Sequence, residues 1–250
     1  MSPIVAAGTA FVLILGSMIL GTVLRSILPE QHLTGDSKEV IRLATALVAT
    51  MSALVLALLF ASTRSSFEHT SSAVSRMTAD IVELDSLLAE YGPEAAPLRK
   101  AVRDEVGPLI DSIWREDAVE GGRADLAVTS QSGSVLYMLR ELKPQTTVQS
   151  SLQARALQVS TDLSQIRLTL ASQPGDSTST PFVSVLVLWL MFIFATFSMT
   201  AKPNATLTAI LFICIVSASG AIYLILELGS PFGGLMQVSN DTLRGALAPL

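Results

Sequence analysis

The feature that most constrains this chain is the stretch Lys38–Tyr91, in which neither Gly nor Pro occurs. Its first half, Ile41–Ala61, is almost entirely apolar, whereas its second half, Phe67–Tyr91, places charges and hydroxyls between evenly spaced apolar residues. Because Gly and Pro are the residues that interrupt helices, the stretch predicts one continuous helix. At 1.5 Å per residue it would be about 80 Å long, more than twice the hydrocarbon thickness of a bilayer. The helix is therefore predicted to begin in lipid and to continue in water.

Both ends of this stretch carry patterns that terminate helices. Asp36 and Glu39 have the spacing of a capping box, in which each side chain accepts a backbone N–H at the helix start. After Tyr91, glycine can adopt the left-handed conformation that ends many helices, and proline cannot continue the hydrogen-bonded ladder. The helix is therefore predicted to begin near Asp36 and to end at Tyr91, with Gly92 in the αL conformation and Pro93 beyond it.

The composition is that of a membrane protein. Half of the residues are hydrophobic, only 15% are charged, and the mean hydropathy is +0.55, values that are rare for a soluble domain of this length. The net charge of −5, without any cluster of Lys or Arg, excludes nucleic acid as a partner. Cys214 is the one cysteine and there are two histidines, which excludes an internal disulfide and a Cys/His zinc site. No metal or cofactor is expected.

Four apolar segments are long enough to span a bilayer, since a spanning helix needs about 20 apolar residues. They are Ile4–Leu24, Ile41–Ala61, Phe182–Thr200 and Ala205–Leu228. The first could instead be a signal peptide, but no Lys or Arg precedes it and its apolar run is longer than that of most signal peptides. A retained span is therefore favoured. The turn Ala201–Asn204 is predicted to join the last two spans in a hairpin.

The residues between the second and third spans predict a helical bundle. Besides the second half of the long helix, helices are predicted over Glu94–Trp114, Ser134–Leu142 and Gln149–Ser172. Apolar residues on the first and last of these four helices recur at spacings of three and four, typical of a packing seam, and the two seams are predicted to pack antiparallel. The seam residues are Phe67, Val74, Met77, Ile81, Leu84 and Leu88 on one helix and Leu152, Val159, Leu163 and Ile166 on the other. Asp80, Glu83 and Asp85 lie off the seam and predict a solvated face.

These patterns predict an all-α membrane protein with four transmembrane helices and a soluble helical-bundle domain inserted between spans two and three. Residues 1–63 would hold the first two spans, 64–181 the soluble domain, 182–228 the hairpin and 229–250 a docked C-terminal segment. An even number of spans places both termini and the soluble domain on one side. The numbers of Lys and Arg near the ends of the spans are almost equal on the two sides of the membrane, so the positive-inside rule does not decide the orientation. A cytoplasmic domain is favoured, because nothing indicates export of so long a segment.

The second span carries a stripe of small residues. Ala46, Ala49, Ala53, Ala57 and Ala61 recur every three or four residues, with Thr45, Thr50 and Ser52 nearby. Small side chains allow another helix to approach closely, which is their common role in membranes. The same stripe could face a pore if several copies surround an axis, and the interleaved hydroxyls favour a hydrated surface.

The fourth span has two features of its own. Ser217, Gly220 and Ala221 predict a patch for close helix packing. Glu227 lies where the span ends. A carboxylate there could line a vestibule or bind a cation, or it could lie in water at the membrane interface.

Almost the whole chain, from Leu28 to Leu250, resembles bacterial membrane proteins described as bestrophin-like, a domain family of unknown function. The resemblance is carried, in the same order, by LPEQHLTGDSKEVIRLATALVATMSALVLALLFASTRSSFE, ELDSLLAEYGPEA, LQARALQVSTDLSQIR, FATFSMTAKPNAT and IYLILELGSPFGGLMQVSNDTLRGAL. Bestrophins are pentameric chloride channels with four membrane helices per subunit and a large cytosolic helical portion. The resemblance therefore implies a homo-oligomer, a pentamer by analogy, in the bacterial inner membrane. The aromatic triplet of the second span and the acidic calcium clasp of bestrophins have no counterpart here.

Two functions are compatible with these observations. The first is an ion channel or pore, with anions as candidate ions, in which the second spans surround the axis. Its pore-lining candidates are Thr45, Ala49, Ser52, Ala53 and Ala57, and its vestibule candidate is Glu227. The second is a non-conducting sensor or scaffold whose helical domain binds a ligand or a partner protein. An enzyme is not expected, because the sequence contains no Ser-His-acid grouping, phosphate-binding Gly loop or pair of metal ligands.

Overall fold

The computed structural model describes residues 2–27, 36–114, 131–172, 179–201 and 204–232, and every element in these ranges is helical. The helices are α1 (Pro3–Ile27), α2 (Asp36–Tyr91), α3 (Ala96–Trp114), α4 (Gln131–Glu141), α5 (Thr147–Ser172), α6 (Ser179–Thr200) and α7 (Ala205–Leu228), with a short 3₁₀ helix at Pro93–Ala95. Four of them, α1, α2, α6 and α7, contain segments long and apolar enough to cross a membrane. The predicted all-α class with four candidate spans is confirmed.

The long stretch without Gly or Pro forms one helix of 56 residues, α2. It ends at Tyr91, but the prediction of an αL glycine is wrong. Gly92 has φ 123° and ψ −175°, an extended conformation with positive φ that is essentially restricted to glycine. The carbonyl of Tyr91 accepts a hydrogen bond of 3.1 Å from Nε2 of Gln149 in α5, so a side chain satisfies one of the last carbonyls of the helix. The predicted capping box includes the side chain of Asp36, which lies outside the described part.

The chain divides into two compact units. The first unit comprises Met1–Ser66 and Asp176–Ser230, and the second comprises Phe67–Gly175 and Pro231–Leu250. Of the C-terminal segment predicted to dock, the residues beyond Phe232 lie outside the described ranges, as do Lys202 and Pro203 of the predicted hairpin turn.

In the first unit, α1 packs along α6 and also contacts α7. The closest approach is at Gly21, where an added Cβ would lie 2.3 Å from the carbonyl oxygen of Ala195. Near the end of α1, the hydroxyls of Thr22 and Ser198 share a hydrogen bond of 2.6 Å. Such close helix contact through a small residue is how membrane helices gain packing energy, because lipid already surrounds their apolar side chains. Gly220, predicted to support close packing on α7, has no atom within 4 Å of the position of a Cβ.

Two apolar clusters of the first unit join the four candidate spans. One contains Ile14 and Met18 of α1, Phe194 of α6, and Leu211 and Ile215 of α7. The other is built around Ala10, Leu186, Val187 and Ile222, and it is contacted by Leu56 and Leu59 of α2. The apolar part of α2 therefore packs against this cluster through Leu56 and Leu59.

In the second unit, α2 and α5 contribute to two successive clusters in opposite chain order. Val74, Met77 and Ile81 of α2 lie with Leu163 and Leu170 of α5, whereas further along α2 Leu84 and Leu88 lie with Ala156 and Val159. The two helices are therefore antiparallel. Helix α3 completes the first cluster through Val106 and the second through Leu98 and Val102, and α4 joins the second through Val135 and Leu139. Of the predicted seam residues, Leu152 and Ile166 are half-buried at the edges of these clusters, and Phe67 is half-buried.

Candidate functional site

The apolar part of α2 buries two of the five pore-lining candidates within the chain. Thr45 is 2% exposed and Ser52 is 4% exposed. Their hydroxyls donate to the carbonyls of Ile41 and Val48, one turn earlier, in hydrogen bonds of 2.8 Å each. Both side chains are therefore satisfied by the backbone of α2 itself, and neither lies on the surface of the chain.

A second side of α2, the small-residue face, is exposed. It consists of Ala46, Thr50, Ala53, Ala57 and Ala61. At about 100° per residue these five positions lie within an arc of about 80°. Two of the pore-lining candidates, Ala53 and Ala57, are on this face, and so is Thr50, which the candidate set omitted. The hydroxyl of Thr50 donates to the carbonyl of Leu47 at 2.8 Å.

A third side carries large apolar side chains, which we call the aliphatic ridge. It consists of Leu43, Leu47, Met51, Leu54 and Leu58, whose exposed fractions range from 47% to 65%. These residues recur at spacings of three and four, a pattern typical of helix contacts. The sequence contains this pattern, but an almost uniformly apolar span gave no reason to separate it from its surroundings.

A groove of about 340 Å³ opens on the side of α2 opposite to the ridge. Its lining from α2 is Ala49, Ser52, Ala53 and Leu56; from α6 it is Leu186, Leu190, Ile193, Phe194 and Phe197; and from α7 it is Leu211, Cys214 and Ala218. The one hydroxyl in this lining is that of Ser52, which is already bonded to Val48. The groove therefore offers shape and apolar contact, and no hydroxyl that is free to bind a polar ligand.

The rest of the chain covers α2 less than it covers the other spans. In their most apolar windows, 28% of α1, 33% of α6 and 28% of α7 are buried, against 11% of α2. The mean hydropathy of the four windows is nearly the same, between 2.3 and 2.5. The span of α2 is therefore no more apolar than its neighbours, although it presents the most uncovered surface.

The vestibule candidate Glu227 is buried at the end of α7, with 3% of its surface exposed. It shares a hydrogen bond with Tyr223, one turn earlier on the same helix. Glu227 is therefore not exposed to water, as the alternative considered from the sequence would require. Burial at this depth requires polar partners, since an unsatisfied carboxylate would be strongly destabilising.

In the second unit, Asp85 is 9% exposed, so the prediction that it lies on a solvated face is wrong. Two arginines of α3 bind its carboxylate through paired hydrogen bonds, at 2.8 Å each from Arg99 and at 2.9 and 3.0 Å from Arg103. Hydrogen bonds from Arg99 and then from Arg103 outweigh the effect of burial and lower the pKa of Asp85 from about 3.8 to about 2. The turn between α2 and α3 brings these groups together.

A second ion pair, between Glu105 and Arg167 at 2.8 Å, borders a small cavity among α2, α3, α4 and α5. The cavity volume is about 20 Å³. That is room for one water molecule, whereas sites for small-molecule ligands measure about 300–1,000 Å³. Among the residues that the structure describes, no group of three or more His, Cys, Asp or Glu side chains is placed to hold a metal ion.

The family model of the Bestrophin-like domain matches residues 11–243, which is most of the chain. Nothing matches among the curated proteins or among the solved structures. The matched range begins inside α1 and extends beyond α7, so it contains the part of α2 with its three faces, the groove and both ion pairs. The chain therefore belongs to the bestrophin-like family.

Proposed function

We propose that this chain forms a homo-oligomeric ion channel in which the small-residue face of α2 lines a central axis. The observation that carries the proposal is that α2, the span least covered by its own chain, exposes a continuous face of alanines and one threonine. Thr45 and Ser52 would then stabilise the wall from behind, and Thr50, Ala53 and Ala57 would face the axis. The second unit would stand in water on the cytoplasmic side of the bacterial inner membrane. The family match supports a channel-type membrane function.

The chemistry of this face suits a narrow and weakly polar wall. Alanine methyl groups leave space near the axis, and the hydroxyl oxygen of Thr50 at that radius can replace part of the hydration of an ion. The charged residues beyond the face include both signs, Glu39 on one side and Arg64 and Glu68 on the other. Assays of conduction should therefore include halides as well as cations.

Ion flux from liposomes that contain the purified chain tests the proposal, with Ala57→Trp as the blocking variant. Ala57 is exposed on the small-residue face and does not line the groove. Ala209→Trp is the control, because Ala209 is exposed on α7 and lines neither the groove nor the small-residue face. Flux in the wild type and in Ala209→Trp, with loss of flux in Ala57→Trp, supports the axis assignment. Equal flux in both variants contradicts it.

A well-folded oligomer that conducts no ion would favour the other function, a scaffold. Its helical domain would then bind a ligand or a partner protein, and a ligand larger than about one water would have to bind outside the cavity that α2, α3, α4 and α5 line. An enzymatic function forms no part of the proposal.

A further inference from the structure

The aliphatic ridge and the groove belong to the same chain and lie on either side of the small-residue face. Taken at about 100° per residue, the ridge is centred about 80° from that face in one direction, and the groove-lining residues of α2 about 90° in the other. A helix that turns its small-residue face to an axis therefore points its ridge toward one neighbour and its groove toward the next. This is the arrangement of a head-to-tail contact, which closes into a ring when the rotation between copies allows.

The ridge and the groove also match in height. Ile222 of α7 lies in the cluster that Leu56 of α2 contacts, and Cys214 of α7 lines the groove. Spans two and four cross the membrane in the same direction, so Cys214, eight residues before Ile222, is about 12 Å away from it along the membrane normal. The same step on α2 leads from Leu56 to Val48, so the ridge residue nearest to the level of Cys214 is Leu47. Rotation about an axis normal to the membrane preserves height, so Leu47 meets the groove of the next copy beside Cys214.

We propose that the ridge of one copy packs into the groove of the next copy, with Leu47 at the level of Cys214. This inference rests on the proposed homo-oligomer and specifies its interface. In lipid, helices associate through close van der Waals packing and through release of acyl chains from ordered positions. A groove with alanine walls and no free hydroxyl suits an aliphatic side chain held on a rigid helix. The contact would also cover the surface of α2 that its own chain leaves exposed.

Disulfide crosslinking of the full chain in liposomes tests the interface, and the native cysteine provides one partner. Leu47→Cys adds a second cysteine on the ridge, and Leu54→Cys adds one on the same side of α2 but about 10 Å away along the helix. A disulfide requires Cβ atoms about 3.5–4.5 Å apart, so oxidation with copper phenanthroline should give about tenfold more product with Leu47→Cys than with Leu54→Cys. Each copy then offers both partners, so the product is a ladder of dimers and higher oligomers.

Replacement of the native thiol decides between the possible occupants of the groove. In Leu47→Cys/Cys214→Ser the ladder should disappear. A dimer that persists in this variant would mean that ridge meets ridge, and it would overturn the proposal. If neither of the two variants with an added cysteine gave any crosslinked product, lipid would fill the groove, and the proposal would be overturned as well.

A second pair of variants tests the same contact without crosslinking. Ala218→Trp would fill the groove and should reduce the oligomer to monomers, whereas Ala209→Trp, at an exposed position of α7 outside the groove, should leave its mass unchanged. An intact oligomer with Ala218→Trp would contradict the interface. Flux measured on the same samples separates the two proposals. Conduction without the ladder refutes only the interface, and a ladder without conduction refutes only the channel.

Discussion

Replacement of Asp85 by asparagine should destabilise the second unit by about 2 kcal/mol. The two arginines lower the pKa of this carboxyl from about 3.8 to about 2, and each pKa unit corresponds to about 1.4 kcal/mol of preferential stabilisation of the charged form. Conversion to free energy is reasonable here because the side chain is only 12% exposed. The amide introduced by Asp85→Asn could still accept hydrogen bonds from Arg99 or Arg103, but it would carry no charge to balance them.

Hydrogen exchange of the full chain at pH 7, followed by mass spectrometry, measures this effect locally. Peptides from the ends of α2 and α3 that meet at Asp85 should exchange about 30-fold faster in Asp85→Asn, because about 1.4 kcal/mol corresponds to a factor of ten. The pH dependence has a defined sign. Since the folded pKa of Asp85 is lowered, its contribution is complete above about pH 4 and is lost as the pH falls toward about 2, so the difference between wild type and variant should shrink over that range.

Glu83→Gln is the matched control. Glu83 lies on the same helix and pairs with Arg155 at 2.6 Å, but the two side chains are 38% and 48% exposed. Exposed pairs contribute about 0–1 kcal/mol, so exchange should accelerate less than about fivefold. If Asp85→Asn and Glu83→Gln change the exchange rates equally, the buried ion pair does not stabilise the contact of α2 with α3, and the reasoning from its pKa fails.

Two further predictions concern packing and charge. Gly21→Ala should destabilise the first unit by about 1–3 kcal/mol, because the new Cβ would lie 2.3 Å from the carbonyl oxygen of Ala195. Thermal unfolding in detergent should therefore show a lower midpoint for this variant. Gly16→Ala should not lower the midpoint, because no atom lies within 4 Å of the position of its Cβ. Arg167→Met should cost about 1–3 kcal/mol by removing the guanidinium that lies 2.8 Å from the buried carboxylate of Glu105, and Glu105→Gln/Arg167→Met should recover part of the loss. Hydrogen exchange of α3 and α5 measures the second effect, and additive losses in the double variant would contradict it.

Much of the fold could be predicted because its determinants are local. Hydropathy over about 20 residues identifies a span, and the Gly92-Pro93 pair ends α2 at Tyr91 whatever packs around it. The sequence did not predict the full backbone conformation of Gly92. The sequence indicated that a positive φ was needed, but the value of ψ depends on where the 3₁₀ helix and α3 must begin.

The candidate site could be predicted only in part. Alanine and hydroxyl residues occur on more than one side of α2, so the sequence alone gave no means of telling the buried Thr45 and Ser52 from the exposed Ala57. Burial depends on which side α6 and α7 occupy, and nothing within α2 specifies that. Asp85 was assigned to a solvated face for a similar reason, because its partners Arg99 and Arg103 belong to another helix.

The sequence by itself determined that this is an all-helical chain with four candidate spans, that one helix continues far beyond the length of a span, and that the chain resembles the bestrophin-like family. These properties follow from hydropathy, from helix-breaking residues and from ordered motifs, each of which acts over a short range of chain. The tertiary structure decided which sides of α2 are buried and which are exposed, the close contact at Gly21 and the arginine pair at Asp85. Those depend on long-range packing, in which a rotation of one helix by about 100°, a single residue, exchanges one face for another.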